Sequence, residues 1–196
     1  MNILKIIKRK KKEREYIHYI DEHKENIIKA AKELYNCPKL IDLFMDDELS
    51  FLFWERIHNH DNSKYSKEEF DAYRKYYYPV DDEEKNNSKD EYEKAWIHHY
   101  ENNDHHWQNR KDKQNFNVNN NDDILPVLEN IVDWLAMGYK FNDRPYQFYE
   151  RNKNEIILNQ DERNFLEKII YEALEDKKIP KLKNESEDVS SDSIAR

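Results

Sequence analysis

The apolar residues of segment 14–35 recur at three- and four-residue intervals, which is the spacing of one helix face. The repeat is formed by Ile17, Ile20, Ile27, Ala31 and Leu34. His23 falls on the same stripe, between Ile20 and Ile27. The pattern therefore predicts an amphipathic helix that carries one imidazole on its apolar face.

A second helical pattern covers residues 48–59 and ends in a polar dipeptide. Its apolar side is formed by Leu49, Leu52, Phe53 and Ile57. His60 and Asp61 follow Ile57 by three and four residues, so both point towards the core if the helix continues that far.

Two sequences of the form S-x-x-E, "SKEE" at 66–69 and "SKDE" at 88–91, match the capping box and predict helix starts at Ser66 and Ser88. The intervening "VDDEEKNN" at 80–87 is predicted to be a polar loop. In the helix from Ser88, His99 continues the apolar face, whereas His98 lies about 100° around the axis.

The segment "ILPVLENIVDWLAM", residues 124–137, has apolar residues around nearly its whole circumference, as expected for the central helix of a fold. Glu129 and Asp133 are four residues apart and therefore share one side of it. Carboxylates on a buried helix need a counter-charge. Segments 144–151 and 160–176 are predicted to be outer helices, the second with an apolar stripe of Phe165, Ile169, Ile170 and Leu174.

The composition favours helices over sheets, because one Gly and five Pro leave few residues for tight hairpins. Charged residues form 38% of the chain, but 14 Tyr, 8 Phe and 4 Trp supply enough apolar surface for a core. We predict an all-α, single-domain helical bundle over residues 14–182. A basic N-terminal arm at 1–13 precedes it, and an acidic, Ser-rich tail at 183–196 is predicted to be disordered.

Net charge and cysteine content exclude some classes of protein. A formal charge of −9 argues against a general nucleic-acid surface, which needs clustered Lys and Arg. No apolar stretch reaches the roughly 18 residues needed to span a membrane. The single Cys37 excludes an intrachain disulfide framework and predicts a reducing, cytoplasmic location. The oligomeric state is left open.

Residues of the kinds that bind metals recur at the inner positions of three predicted helices and one adjoining loop. In chain order they are His23, His60, Asp61, His98, His99, His105, His106 and Asp133. Each histidine taken alone is more simply a structural residue with a hydrogen-bond partner. Their joint recurrence instead favours one shared metal centre.

The order H…HD…H…H…D, with "HDNSK" extending the doublet to HDxxK, resembles the HD-domain superfamily of metal-dependent phosphohydrolases, which has an all-helical fold. The blocks "HDNSKYSKEEF", "AWIHHYENNDHH" and "LENIVDWLAM" are similar, more narrowly, to an uncharacterised phage and bacterial family of HD-like proteins. The similarity runs from about His23 to Leu174.

The resemblance implies that one divalent metal is held by His23, His60, Asp61 and Asp133. Two later histidines would hold a second metal, with Asp61 as the bridge. The middle histidines are doubled, unlike the superfamily pattern, so the ligand in each pair stays open. Helical periodicity favours His99 over His98, and we prefer His105 to His106. The metal itself is open among Mn, Fe, Co, Ni and Zn.

The leading hypothesis is a phosphohydrolase that attacks a nucleotide or other small phosphoester with a metal-activated water. Lys64 would neutralise a substrate phosphate, or is simply an exposed lysine. Glu129 would act as general acid and base, or instead bond a ligand histidine. The alternatives are a mixed-valent di-iron oxygenase and a non-catalytic, metal-stabilised nucleotide-binding phage protein.

Overall fold

A computed structural model describes residues 3–174, and this part of the chain contains ten α-helices and no β-strand. The helices are α1 Ile3–Tyr35, α2 Ile41–Phe44, α3 Asp47–Asn59, α4 Phe70–Tyr77, α5 Asp82–Asn87, α6 Lys89–Asn102, α7 Trp107–Arg110, α8 Asn121–Phe141, α9 Pro145–Asn152 and α10 Gln160–Glu167. Short 3₁₀ segments span Pro38–Leu40 and Asn62–Tyr65, and Lys168–Ala173 is π-helical. The predicted all-α fold is confirmed. The tail predicted at 183–196 lies outside the described residues.

Helix α8 is the centre of the fold, as its all-round apolar sequence predicts. Every residue from Asp123 to Ala136 is buried. The helix packs against α1, α3, α9 and α10, so its polar residues Glu129 and Asp133 are enclosed by other elements. No helix within residues 3–174 has the length and apolarity to cross a lipid bilayer.

Helix α1 is longer than predicted, because it begins at Ile3 rather than near residue 14. Lys, Arg and Ile residues are compatible with helix, and Arg9 pairs with Glu13 one turn later at 2.8 Å. The buried face carries Tyr16 where the stripe predicted Ile17, which is 39% exposed. His23 is buried on this face as predicted.

Helix α3 matches its prediction, but it ends at Asn59 and does not carry the following dipeptide into the core by continuing. His60 caps the helix C-terminus, and Asp61 adopts a left-handed conformation with φ 55° and ψ 22°. Asp is one of the few residues that tolerates this region. Both side chains are buried as predicted. They reach the core because the chain turns sharply after α3, and not because the helix continues.

The helix start predicted at Ser66 is wrong, because α4 begins at Phe70. In a capping box Glu69 would turn back to the Ser66 backbone, but here it is buried and its carboxylate accepts hydrogen bonds from two histidines. The start at Ser88 is correct. Its hydroxyl donates to the Lys85 carbonyl at 2.8 Å rather than capping α6.

The predicted polar loop at 80–87 contains the short helix α5. The Asp81 side chain accepts a hydrogen bond from the Glu84 backbone N–H at 2.9 Å. Three acidic residues occupy the first turn, where they interact favourably with the helix dipole. The Asp81 cap and the acidic first turn therefore stabilise a short helix in a fully polar sequence.

The two outer helices lie close to their predicted positions, as α9 and α10. Leu166, Ile169, Ile170 and Leu174 are buried in the main core, and Phe165 packs partly buried against it. Residues 175–176 of the second predicted helix lie outside the described residues. The apolar stripe thus holds this end of the chain against α8.

The chain's single glycine, Gly138, lies where α8 approaches the turn after it. A Cβ at this position would lie 3.3 Å from the carbonyl carbon of Asp143 and still closer to its oxygen. Gly138→Ala should therefore lower the free energy of unfolding by about 1–3 kcal/mol. An unhindered Gly→Ala change in a helix would instead raise it by roughly 0.5–1 kcal/mol. Urea denaturation measures the sign, with the exposed Lys32→Ala in α1 as control.

Candidate metal centre

The carboxylate of Asp61 lies between two pairs of imidazoles and is only 2% exposed. Its Oδ2 atom is 3.6 Å from His23 Nε2 and 3.5 Å from His60 Nε2. Its Oδ1 atom is 3.3 Å from His99 Nε2 and 3.6 Å from His105 Nε2. The two oxygens of one side chain therefore face two different groups of nitrogen atoms.

Asp133 from α8 lies next to the first group, which is formed by His23, His60 and Asp61. Its Oδ1 atom is 3.3 Å from His23 Nε2 and 3.9 Å from His60 Nε2, and the two nitrogens are 3.4 Å apart. Atoms that share one metal at bond lengths of about 2.1 Å lie about 3 to 3.5 Å from one another. His23, His60 and Asp61 are thus spaced so that they could hold one cation, and Asp133 lies beside them through its contact with His23.

The second group joins Asp61 to three histidines, His99, His105 and His106. One ligand atom of each lies within 4.8 Å of all the others. Asp61 Oδ1, His105 Nε2 and His106 Nε2 are buried, and each forms no hydrogen bond within the described residues. A buried polar atom without a partner costs about 1–3 kcal/mol. A cation bonded to all three would satisfy them, so the residues fit a metal here as well.

The outward nitrogens of three of these imidazoles, those of His60, His99 and His105, are held by carboxylates. Glu129 Oε1 is 2.8 Å from His60 Nδ1 and 3.2 Å from His105 Nδ1. Glu69 Oε2 is 2.8 Å from His99 Nδ1. We infer that each of these Nδ1–H groups donates a hydrogen bond to its carboxylate. The Nε2 lone pair then points into the cluster, as a metal ligand requires.

The charges of the cluster favour bound positive charge. Burial lowers the pKa of His60, but the carboxylates of Asp61 and Glu129 outweigh it and raise that pKa to about 9. Burial raises the pKa of Glu129, but the imidazoles of His105 and His60 hold it well below its usual range. Burial and its imidazole neighbours hold the pKa of His106 well below the ordinary value, so its ring stays neutral.

Lys64 lies beside the first group rather than on an exposed loop. Its Nζ atom is 2.6 Å from Asp61 Oδ2, and its side chain is 15% exposed. Burial disfavours the ammonium, but the Asp61 carboxylate outweighs it and raises the pKa of Lys64 well above its ordinary value. The lysine therefore stays charged at the edge of the cluster.

Among the doubled histidines, His99 and both His105 and His106 lie in the second group, whereas His98 does not. The His98 side chain is 34% exposed, and its Nδ1 is 2.8 Å from Glu69 Oε1. Sequence reasoning missed Glu69, because it reads as a capping residue. Its partners are 29 and 30 residues away in the chain, so no local signal marks them.

Arg56, also missed, supports the cluster from α3. Its Nε atom donates to Glu129 Oε2 at 2.8 Å, so both oxygens of Glu129 are engaged. Its guanidinium also pairs with the carboxylate of Asp104, the residue before His105. One arginine thus contacts both the carboxylate behind His105 and the side chain of the residue before it.

Arg110 fixes the same turn from the other side. Its guanidinium donates to the Asp104 carbonyl oxygen, to Asn130 Oδ1 at 3.2 Å and to Glu162 Oε1 at 2.7 Å. Both Arg110 and Glu162 are buried. Because Glu162 belongs to α10, the turn that carries His105 and His106 is tied to the outer helices.

Residues 12–172 match a family of unknown function, DUF5662. The searches of the curated proteins and of the solved structures gave no match. The family description names no activity, so only the motifs and the geometry of the cluster bear on function.

The buried Arg110–Glu162 pair yields a stability prediction. Arg110→Met leaves the Glu162 carboxylate buried without its cation and should lower the free energy of unfolding by about 3–5 kcal/mol. Adding Glu162→Met should recover part of this loss, because two well-packed apolar side chains replace the ion pair.

Urea unfolding of the single and double variants measures both effects. The more exposed pair of Arg151 and Asp143 provides the control, and Arg151→Met should cost no more than about 1 kcal/mol. A double variant as unstable as Arg110→Met alone would contradict the role assigned to the pair.

Proposed function

The chain belongs to the family DUF5662, and we propose that it is a metal-dependent phosphohydrolase acting on a nucleotide or other small phosphoester. The observation that carries this proposal is Asp61, whose two oxygens face two separate groups of imidazoles. A carboxylate so placed can bridge two cations, and a two-metal site suits in-line displacement at phosphorus. The ligands would be His23, His60, Asp61 and Asp133 at the first position, and Asp61, His99 and His105 at the second.

Mixed imidazole and carboxylate donors suit Mn, Fe, Co, Ni or Zn. A divalent metal bound there would lower the pKa of a coordinated water towards 7 and polarise a phosphoryl oxygen. The protein's part is to orient the donors. Glu129 and Glu69 hold the Nδ1–H groups, which keeps the Nε2 atoms of His60, His105 and His99 directed inward.

Glu129 is better suited to positioning than to proton transfer. One oxygen contacts His60 and His105, and the other accepts from Arg56. A general acid or base needs an oxygen within reach of the reacting group. We therefore assign Glu129 to orient ligands, which is the second of the two roles considered for it.

Lys64 would contact the substrate. Its ammonium lies beside Asp61 and stays protonated through that contact, so it offers a compact positive charge to a phosphoryl oxygen. His60, Asp61 and Lys64 are the fixed residues of the HDxxK motif. The resemblance of this motif to the HD-domain superfamily supports phosphoester hydrolysis as the reaction class.

The proposal is tested by comparing Asp61→Asn with Asp133→Asn. Asp61 serves both positions, so Asp61→Asn should reduce bound metal from two ions per chain to none, whereas Asp133→Asn should lose one. In assays of a nucleotide panel with Mn, Co or Ni, both variants should release phosphate more slowly than wild-type protein. The decrease should exceed roughly 10- to 100-fold, which is the loss expected when a metal ligand is kept but its hydrogen-bond partner is removed. Elemental analysis and a phosphate assay measure these effects.

Asp71→Asn is the matched control, since that carboxylate is half exposed and pairs with Arg9 away from the cluster. It should keep both metals and full turnover. Absence of phosphate or nucleoside release with every metal would contradict hydrolysis. Two irons with an oxygen-dependent spectrum would instead establish the oxygenase, and tight nucleotide binding without turnover would establish the binding protein.

A further inference from the structure

The two adjacent histidine pairs, His98–His99 and His105–His106, differ in how many of their rings enter the cluster. The first pair contributes one ring, and the second contributes both, including His106. The proposed hydrolase needs one histidine from each pair. His98 is partly exposed and lies outside the cluster, but His106 is buried and lies within it. Its ring centroid is 4.2 Å from that of His105 and 4.8 Å from that of His99.

The Nε2 atom of His106 is buried and forms no hydrogen bond within residues 3–174. The edge-to-face contact with Trp96, at a centroid distance of 5.2 Å, limits the tilt of the ring. A ring that served only to pack would carry an unsatisfied nitrogen at a cost of about 1–3 kcal/mol. His106 offers one ring nitrogen within 4.8 Å of a ligand atom from each of Asp61, His99 and His105, and Asp61 Oδ1 and His105 Nε2 likewise form no hydrogen bond within the described residues.

We propose that His106 is a third imidazole ligand at the second metal position, and that the two positions consequently select different metals. This inference rests on the proposed metal centre. The first position has two imidazoles and two carboxylates. With His106, the second has three imidazoles and shares a single carboxylate.

The difference in donors has a definite chemical consequence. Imidazole nitrogens suit Zn, Fe, Ni and Cu, whereas carboxylate oxygens suit Mn and Mg. The second position should therefore prefer zinc, and the first should accept manganese more readily. Asp61 would join two unlike metals through its two oxygens.

The experiment compares His106→Asn with His98→Asn, which changes the outer member of the other pair. Each full-length protein is stripped with a chelator and dialysed against mixtures with a rising ratio of Zn to Mn, and the bound metals are counted. Zinc binds sites of this kind more tightly than manganese, so both positions fill with zinc at high ratios. Wild-type protein and His98→Asn should pass through a state with one Zn and one Mn per chain, because the second position takes zinc at a lower ratio than the first. His106→Asn should bind zinc at least about 10-fold more weakly and take zinc at both positions over the same range of ratios.

A second measurement uses unaltered protein loaded with cobalt, in case the variant folds poorly. Each coordinated imidazole contributes one paramagnetically shifted, exchangeable Nδ1–H proton signal. Five such signals are expected if His106 binds together with His23, His60, His99 and His105. Four signals would overturn the assignment.

Zinc affinity unchanged in His106→Asn would also overturn the ligand role, and wild-type protein that takes zinc at both positions over the same range of ratios would overturn the selectivity. These readouts need no turnover. Loss of one zinc in His106→Asn, in a protein that releases no phosphate, would support this inference while contradicting the hydrolase. A wild-type protein that binds no metal would contradict both.

Discussion

The burial of the Asp61 carboxylate is the constraint on which the site depends. A carboxylate without a partner is costly in a protein interior. The chain leaves α3 at Asn59, turns through the left-handed Asp61 and forms a 3₁₀ turn, which returns Lys64 to within 2.6 Å of the buried carboxylate. The HDxxK sequence is therefore a structural unit. The turn that buries the Asp61 carboxylate also brings the Lys64 ammonium group to it.

Four carboxylates lie around the imidazoles, two from α8 and two from the segments that precede the Asn62–Tyr65 turn and α4. Asp61 pairs with Lys64 and Glu129 with Arg56, whereas Asp133 and Glu69 contact histidines. Carboxylates thus outnumber the lysine and arginine partners in these contacts. This imbalance of charge is the electrostatic reason why the cluster is suited to a bound cation.

The sequence predicted those parts of the site that depend on local periodicity. The all-apolar circumference of α8 made Asp133 a buried residue, and the helical phase of α6 separated His99 from His98. Glu69 was misread because S-x-x-E has the same spacing whether the glutamate caps its own helix or bonds distant histidines. The packing of α6 against α4 determines which of the two roles Glu69 has. This long-range contact cannot be read from the local sequence pattern.

The orientation of the second histidine pair, His105 and His106, could not be predicted from the sequence for a related reason. In a helix, neighbouring side chains are about 100° apart, so only one of two can face inward. The pair His105 and His106 precedes α7 in irregular backbone, with His106 at φ −72° and ψ 129°, and both rings enter the cluster. That conformation is held through the Asp104 carbonyl by Arg110, whose guanidinium also donates to Glu162 of α10. In the proposed two-metal site, the number of imidazoles at the second position would therefore depend on how α10 packs against this turn.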